Sequence, residues 1–225
     1  MFKFKGISSD DMQVVVEEEE EFIARAAHKY EQIDIDGRDG AEFNELGYSV
    51  VERPICVQCL NINKIDEILV WLDGEGEFEY KGRKTIARFY SELEPKRSSC
   101  IRIIDATFIR DPFWNKANEE YIIVQDDKII VNEGNIRSRP KIKLKKTLYE
   151  DIDLTINDVR FKYHFKQDSY VEIDCEQKKV KYEGLDRNRQ IEIGYDFPML
   201  NVGTNNIVIN SGDCEIEILR KDMWL

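Results

Sequence analysis

Only two histidines and five prolines stand among the 225 residues, and no stretch approaches the roughly 18 apolar residues of a membrane-spanning helix. The scarcity of histidine leaves Ser-His-Asp or Cys-His chemistry with His28, in a charged segment, and His164, in a hairpin strand. Neither lies in a nucleophile motif, so both are expected at the surface. There is no GxxxxGK[ST] and no GxGxxG, and hence no signal for a nucleotide site. The 45 acidic residues offer many chance carboxylate pairs, and only spatial separation identifies a glycosidase pair. Five cysteines, Cys56, Cys59, Cys100, Cys175 and Cys214, form an odd set that argues against a secreted disulfide framework; free, mostly buried thiols are expected. Cys56 and Cys59 make a CxxC, but zinc needs a second pair, and residues three apart on a strand face opposite sides. No catalytic residue, metal ligand or cofactor is assigned, and no enzyme activity is expected. The start MFKFKGISSDD has no apolar signal-peptide core, which predicts synthesis and retention in a cytosol without a membrane partner.

What is present is charge and alternation. The composition is 42% hydrophobic and 35% charged with a mean hydropathy of -0.52, enough for a globular core under a heavily solvated surface. The net charge of -12 repels a phosphate backbone, so sequence-specific nucleic-acid binding is not expected. Lys141, Lys143 and Lys145 alternate with Ile142 and Leu144 and predict one solvated strand face. The run Glu17 to Glu21 fits a strand end, a charged loop tip or the start of a short helix; it reads first as an acidic loop, because a block of like charges repels itself and stays in water, and otherwise as a docking surface for a basic partner.

A period of two dominates and predicts a mainly β chain of two domains. EFEYKGRKTIARFY reads as a hairpin turning at Lys81-Gly82-Arg83, and DLTINDVRFKYHF as one turning at Asn157-Asp158, with Phe161, Tyr163 and Phe165 on one face. Gly37 and Gly40 fit a turn between strands. One segment breaks the pattern. Ile65, Ile68, Leu69 and Leu72 at helical spacing, with Asn63 as N-cap and Gly74 as stop, predict a helix of about ten residues with Trp71 off its apolar stripe. Gly134, Asn135 and Pro140 punctuate a polar stretch where a boundary is expected, dividing the chain into 1–132 and 133–225. The many short strands beyond it read as a β-sandwich.

These motifs add up to a resemblance. FKFKGISSDD, IDIDGRDGAEF, ILVWLDGEGEFEY, DPFW at Asp111 to Trp114, VNEGNIRSRPKIKL, YVEIDCEQKKVKYEG, DFPMLNVGTNNIVI and the closing MWL resemble, in order and spacing, the distal tail protein family of long, flexible-tailed phages and prophages. The resemblance covers nearly the whole chain, with the EEEEEFIARAAHKYE region its least typical part.

The resemblance implies a structural virion protein at the tail tip, assembled in the bacterial cytoplasm. It implies a homo-hexameric ring that joins the tail tube protein to a baseplate or tip protein and leaves a channel for the genome. The N-terminal β domain, with one short helix and a hairpin, would build the ring, and a galectin-like β-sandwich would follow. Large aromatics anchor interfaces, so Trp71, Trp114 and Phe113 are the candidate intersubunit residues. The alternative is a carbohydrate-binding module in host recognition. Galectins read sugar through an H-x-N-x-R cluster and a tryptophan platform, whereas here His164 is followed by FKQDS and Trp224 stands at the end. A tail-tube subunit, the other rival, would not need the second sandwich.

Overall fold

The computed structural model describes residues 1–98, 100–147 and 151–225, apart from the side chain of Glu20. Contacts divide the chain into two compact units, Met1–Ala117 with the terminal Leu225, and Asn118–Trp224. Among the described residues the architecture is mainly β with one short α-helix.

The first unit holds β1 (Phe2–Phe4), β2 (Ile7–Ser8), β3 (Val14–Val16), β4 (His28–Asp34), β5 (Ala41–Tyr48), β6 (Val51–Cys59), β7 (Gly74–Tyr80), β8 (Arg83–Phe89), β9 (Glu94–Ser98), β10 (Ile101–Arg110) and β11 (Trp114–Lys116). Its antiparallel sheet runs β2-β1-β7-β8-β10-β6-β3, with β9 paired to β10 and β11 to β8. Lys81 and Gly82 take φ of 48° and 75° between β7 and β8, the left-handed pair that a tight two-residue hairpin turn requires. Alternation then drives Phe78, Tyr80, Ala87, Phe89, Ile104, Ala106 and Phe108 inward. Phe2, Phe4 and Phe22 complete an aromatic core, with Phe22 at 4.8 Å from Phe78 and 4.9 Å from Phe108 between ring centroids.

The helix, α1 (Ile65–Trp71), is shorter than predicted. A 3-10 turn at Ile62–Lys64 precedes it, and the capping side chain is that of Asn61, which accepts from the Asn63 N–H. The buried stripe is therefore Ile68, Trp71 and Leu72, which turns Trp71 into the core instead of away from it. Of the readings open for the acidic run, the start of a short helix is the one the structure shows in place of an acidic loop. Glu19–Ile23 is a 3-10 helix that drives Phe22 into the core, while Glu19 meets the N-terminal amine at 2.8 Å and Glu21 meets Arg53 at 3.3 Å. The Glu20 member of that run lies outside the described side chains.

The second unit holds β12 (Ile122–Val124), β13 (Lys128–Asn132), β14 (Lys141–Lys146), β15 (Ile152–Ile156), β16 (Val159–Tyr163), β17 (Tyr170–Asp174), β18 (Lys179–Tyr182), β19 (Leu185–Asp186), β20 (Ile191–Ile193), β21 (Gly203–Ser211) and β22 (Cys214–Leu219). Two antiparallel sheets, β12-β22-β14-β17-β18-β19 and β13-β21-β15-β16-β20, enclose one core that includes Ile142, Leu144, Ile173 and Ile216 from the first and Leu154, Phe161, Tyr163 and Ile207 from the second. This is the expected sandwich, and Phe161, Tyr163 and Phe165 are all buried. By contact the unit begins at Asn118, ahead of the boundary expected between residues 132 and 133. The reason is that β12 pairs with β22 and β13 with β21, so both strands are built into the sandwich.

Candidate functional site

The feature that stands apart in the first unit is the β4–β5 hairpin, a two-stranded sheet of its own. Gly37 and Gly40, at φ of 81° and 86°, turn the chain at its tip, and the Ser49 N–H donates to the Ala27 carbonyl at 2.8 Å to close its base. Every β4 side chain is exposed. Tyr30 pairs with Glu45, Gln32 with Phe43 and Asp34 with Ala41, so these six share one face. The other face carries Ile33 and Leu46. Tyr30 is 58% and Phe43 62% exposed, their rings 5.4 Å apart edge to face. A two-stranded hairpin is marginal in water, and exposed aromatics of this size mark an interaction surface.

The root of this arm is held by one side chain. On β10 the inward alternation of Ile104, Ala106 and Phe108 continues to Arg110, whose residue is 0% exposed. Its Nε donates to the Phe22 carbonyl at 2.9 Å, Nη1 to the Asp111 and Pro112 carbonyls at 2.7 and 3.1 Å, and Nη2 to the Ala24 carbonyl. The guanidinium lies 4.9 Å above the Trp114 ring. Asp111 turns its own carboxylate to Arg88 at 2.7 Å. Burial lowers the Arg110 pKa to about 10, partly offset by the charge of Asp111, so the group remains a cation at neutral pH, solvated by carbonyls in place of water. RDPFW is thus a latch: the strand end supplies the cation, the next two residues supply acceptors, and Trp114 supplies a face. The sequence reading missed Arg110; its alternation with Phe108 was the available signal.

The three candidate interface residues fall differently. Trp71 is 4% exposed, stacks on Phe2 at 5.7 Å and donates from Nε1 to the Phe4 carbonyl at 2.8 Å. Trp114 is 1% exposed beneath Arg110. Both tryptophans are buried within the chain and present almost no area to a second one. Phe113 is half-buried, 5.4 Å from the Tyr48 ring at the base of the arm. Trp71→Ala is accordingly expected to destabilise the first unit by about 3–5 kcal/mol in urea unfolding, as large aromatic truncations in a core do. A variant of unchanged stability and weaker association would return Trp71 to an interface.

In the second unit the lysine row is neutralised within its own sheet: Lys141 with Asp174 at 3.2 Å, Lys143 with Glu172 at 3.6 Å, and Lys145 with Glu215 at 2.7 Å and with Glu217. His164 is clasped on both sides, Nδ1 at 2.6 Å from Asp151 and Nε2 at 2.9 Å from Glu192. Only the imidazolium has two donors, so this geometry holds the proton, and Glu192 and then Asp151 raise the His164 pKa. A raised folded pKa gives stability that is full below the unfolded value near 6.5 and is lost as pH rises through the folded value. Thermal unfolding of the second unit is therefore expected at lower temperature as pH increases above about 6.5, with His164→Asn flattening the slope. An identical slope in that variant would discharge the clasp.

Cys56 and Cys59 face opposite sides of β6. Cys59, Cys175 and Cys214 are buried, with burial pushing their pKa values to about 11, 12 and 12, so these thiols stay protonated. Among the described residues no group of His, Cys, Asp and Glu is placed to hold a metal ion.

Residues 133–224 match the family described as the siphovirus-type tail component, C-terminal domain. No curated protein matches the chain. Among solved structures the chain is similar over its full length, and over 98% of the other chain, to the SPP1 Dit (gp 19.1) protein, described as a paradigm of hub adsorption apparatus in Gram-positive infecting phages; identity is 13% and the TM-score 0.72. The phage p2 baseplate in its activated conformation with Ca aligns at 9% identity over 96% of this chain and 93% of that one, with a TM-score of 0.38 that carries no argument. The first likeness establishes the fold, and together with the domain match it supports the resemblance read from the motifs.

Proposed function

We propose, from a C-terminal unit that carries the siphovirus-type tail component domain and a chain folded throughout like a distal tail protein, that this protein is a structural subunit of a phage tail tip. Its copies close into a hexameric ring between the tail tube protein and the baseplate or tip protein, with a central channel for DNA. It acts in the virion, without catalysis or cofactor, and assembles in the host cytoplasm.

The observation that carries the ring is the arm. Tyr30 and Phe43 are exposed on a hairpin too thin to stabilise itself, and a head-to-tail contact covers such a surface once per subunit and closes if its rotation closes. The second unit adds a β-sandwich whose charged face is internally paired, which keeps that face from competing for the arm. Light scattering over a wide concentration range tests the reading. The expected species is near six times 26.5 kDa, or a pair of such rings. A monomer at every concentration would remove the arm's role in self-association.

A further inference from the structure

The β9–β10 ribbon carries a pairing that costs an isolated chain free energy. Arg97 and Arg102 are register partners and stand directly opposite on one face, an arrangement of like charges that destabilises a sheet. On the other face Lys96 is matched to Asp105 at 2.8 Å. Arg102 reaches the Ile101 carbonyl at 3.2 Å, and among the described residues no carboxylate forms an ion pair with either arginine.

The complementary charge lies on the arm. From residue 28 to 48, Glu31, Asp34, Asp36, Asp39, Glu42 and Glu45 outnumber Lys29 and Arg38. Arg38 is spent on Glu42 at 2.6 Å, whereas Glu45 has no ion pair among the described residues and shares its face with Tyr30 and Phe43. A guanidinium forks onto a carboxylate and stacks on an aromatic ring at the same time. Two arginines side by side therefore match a face of two rings and a carboxylate. Donor and acceptor surfaces both belong to this one chain, so every copy can give an arm and receive one, as a head-to-tail ring requires.

We infer that, in the assembly proposed above and resting on that reading, the arm of one copy seats Tyr30, Phe43 and Glu45 on the Arg97–Arg102 pair of a second copy. The surface is specific to a partner of this chemistry, a second copy of this chain, and weakens with salt as surface charge pairs do.

The test uses the full chain. R97E/R102E and E45R are each expected to raise the concentration midpoint of assembly about tenfold at low salt, as loss of charge-assisted contacts does. Combining the three substitutions restores the midpoint to within about threefold of the parent, because opposite charges again face each other. Circular dichroism is the control for folding, since Arg97 and Glu45 are exposed and Arg102 is half-buried; a spectrum unchanged from the parent is expected. If R97E/R102E leaves the midpoint unmoved while Tyr30→Ser with Phe43→Ser raises it, the arm has another seat and this inference falls while self-association by the arm stands. If neither pair moves it, both fall. If R97E/R102E assembles normally but loses retention of double-stranded DNA that the parent binds, the arginines serve a polyanion and the inference is overturned.

Discussion

Arg110→Met unfolds the first unit at a urea concentration far below that of the parent, at a cost of about 3–5 kcal/mol. Methionine fits the apolar stem but leaves the carbonyls of Phe22, Ala24, Asp111 and Pro112 buried without their donor. Each such acceptor costs about 1–3 kcal/mol if water cannot reach it, and partial relaxation of the 3-10 segment recovers some of the sum. Arg110→Lys separates charge from shape. It keeps a cation under conditions where Arg110 is one, but a single ammonium cannot fork to four acceptors, so roughly half the loss is expected. Trp114, packed against the guanidinium, reports the transition by fluorescence. A loss below about 1 kcal/mol in Arg110→Met would mean that the carbonyls find other donors.

Tyr30→Ser with Phe43→Ser has the opposite signature. Folding stability changes by about 1 kcal/mol or less, since exposed side chains contribute little beyond their mutual edge-to-face contact. Assembly suffers instead: loss of two aromatic anchors at about 2 kcal/mol each raises the dissociation midpoint about 1,000-fold. The two variants separate what the arm does from what holds it. Sedimentation and urea titration on the same preparations would show Arg110→Met losing stability first, and the arm variant losing only mass. A ring of unchanged midpoint in the arm variant would take the arm out of the interface.

Much of the fold was legible because turn chemistry and alternation are local. Lys81-Gly82 and Asn157-Asp158 fixed their hairpins, and the parity of Phe161, Tyr163 and Phe165 fixed the sandwich face that holds them. Trp71 was set off a stripe counted from Ile65 and Leu69, both only half-buried; it stands three residues after Ile68, and the buried face is the one that Ile68, Trp71 and Leu72 share. The site was harder to see for two physical reasons. Alternation identifies a strand but does not say whether anything covers it, so Tyr30 and Phe43 resemble core residues until the hairpin is seen to stand alone. Arg110 binds main-chain oxygens, which every residue carries, and no spacing of side chains announces such partners.

The placement of Arg110 also sets how the arm bears load. Its side chain grips Phe22 and Ala24 on the segment entering the arm, and its backbone is in register with Val51, the first residue of the strand leaving it. Both roots therefore converge on one residue of β10. A pull transmitted along β6 meets a ladder of register partners running from Arg110↔Val51 to Arg102↔Cys59 and loads its rungs in parallel rather than one after another. A pull on the entering segment meets the guanidinium clamp. Traction applied to the arm is thus delivered to the middle of the sheet, and the hairpin can bend without peeling an edge from the body that carries it.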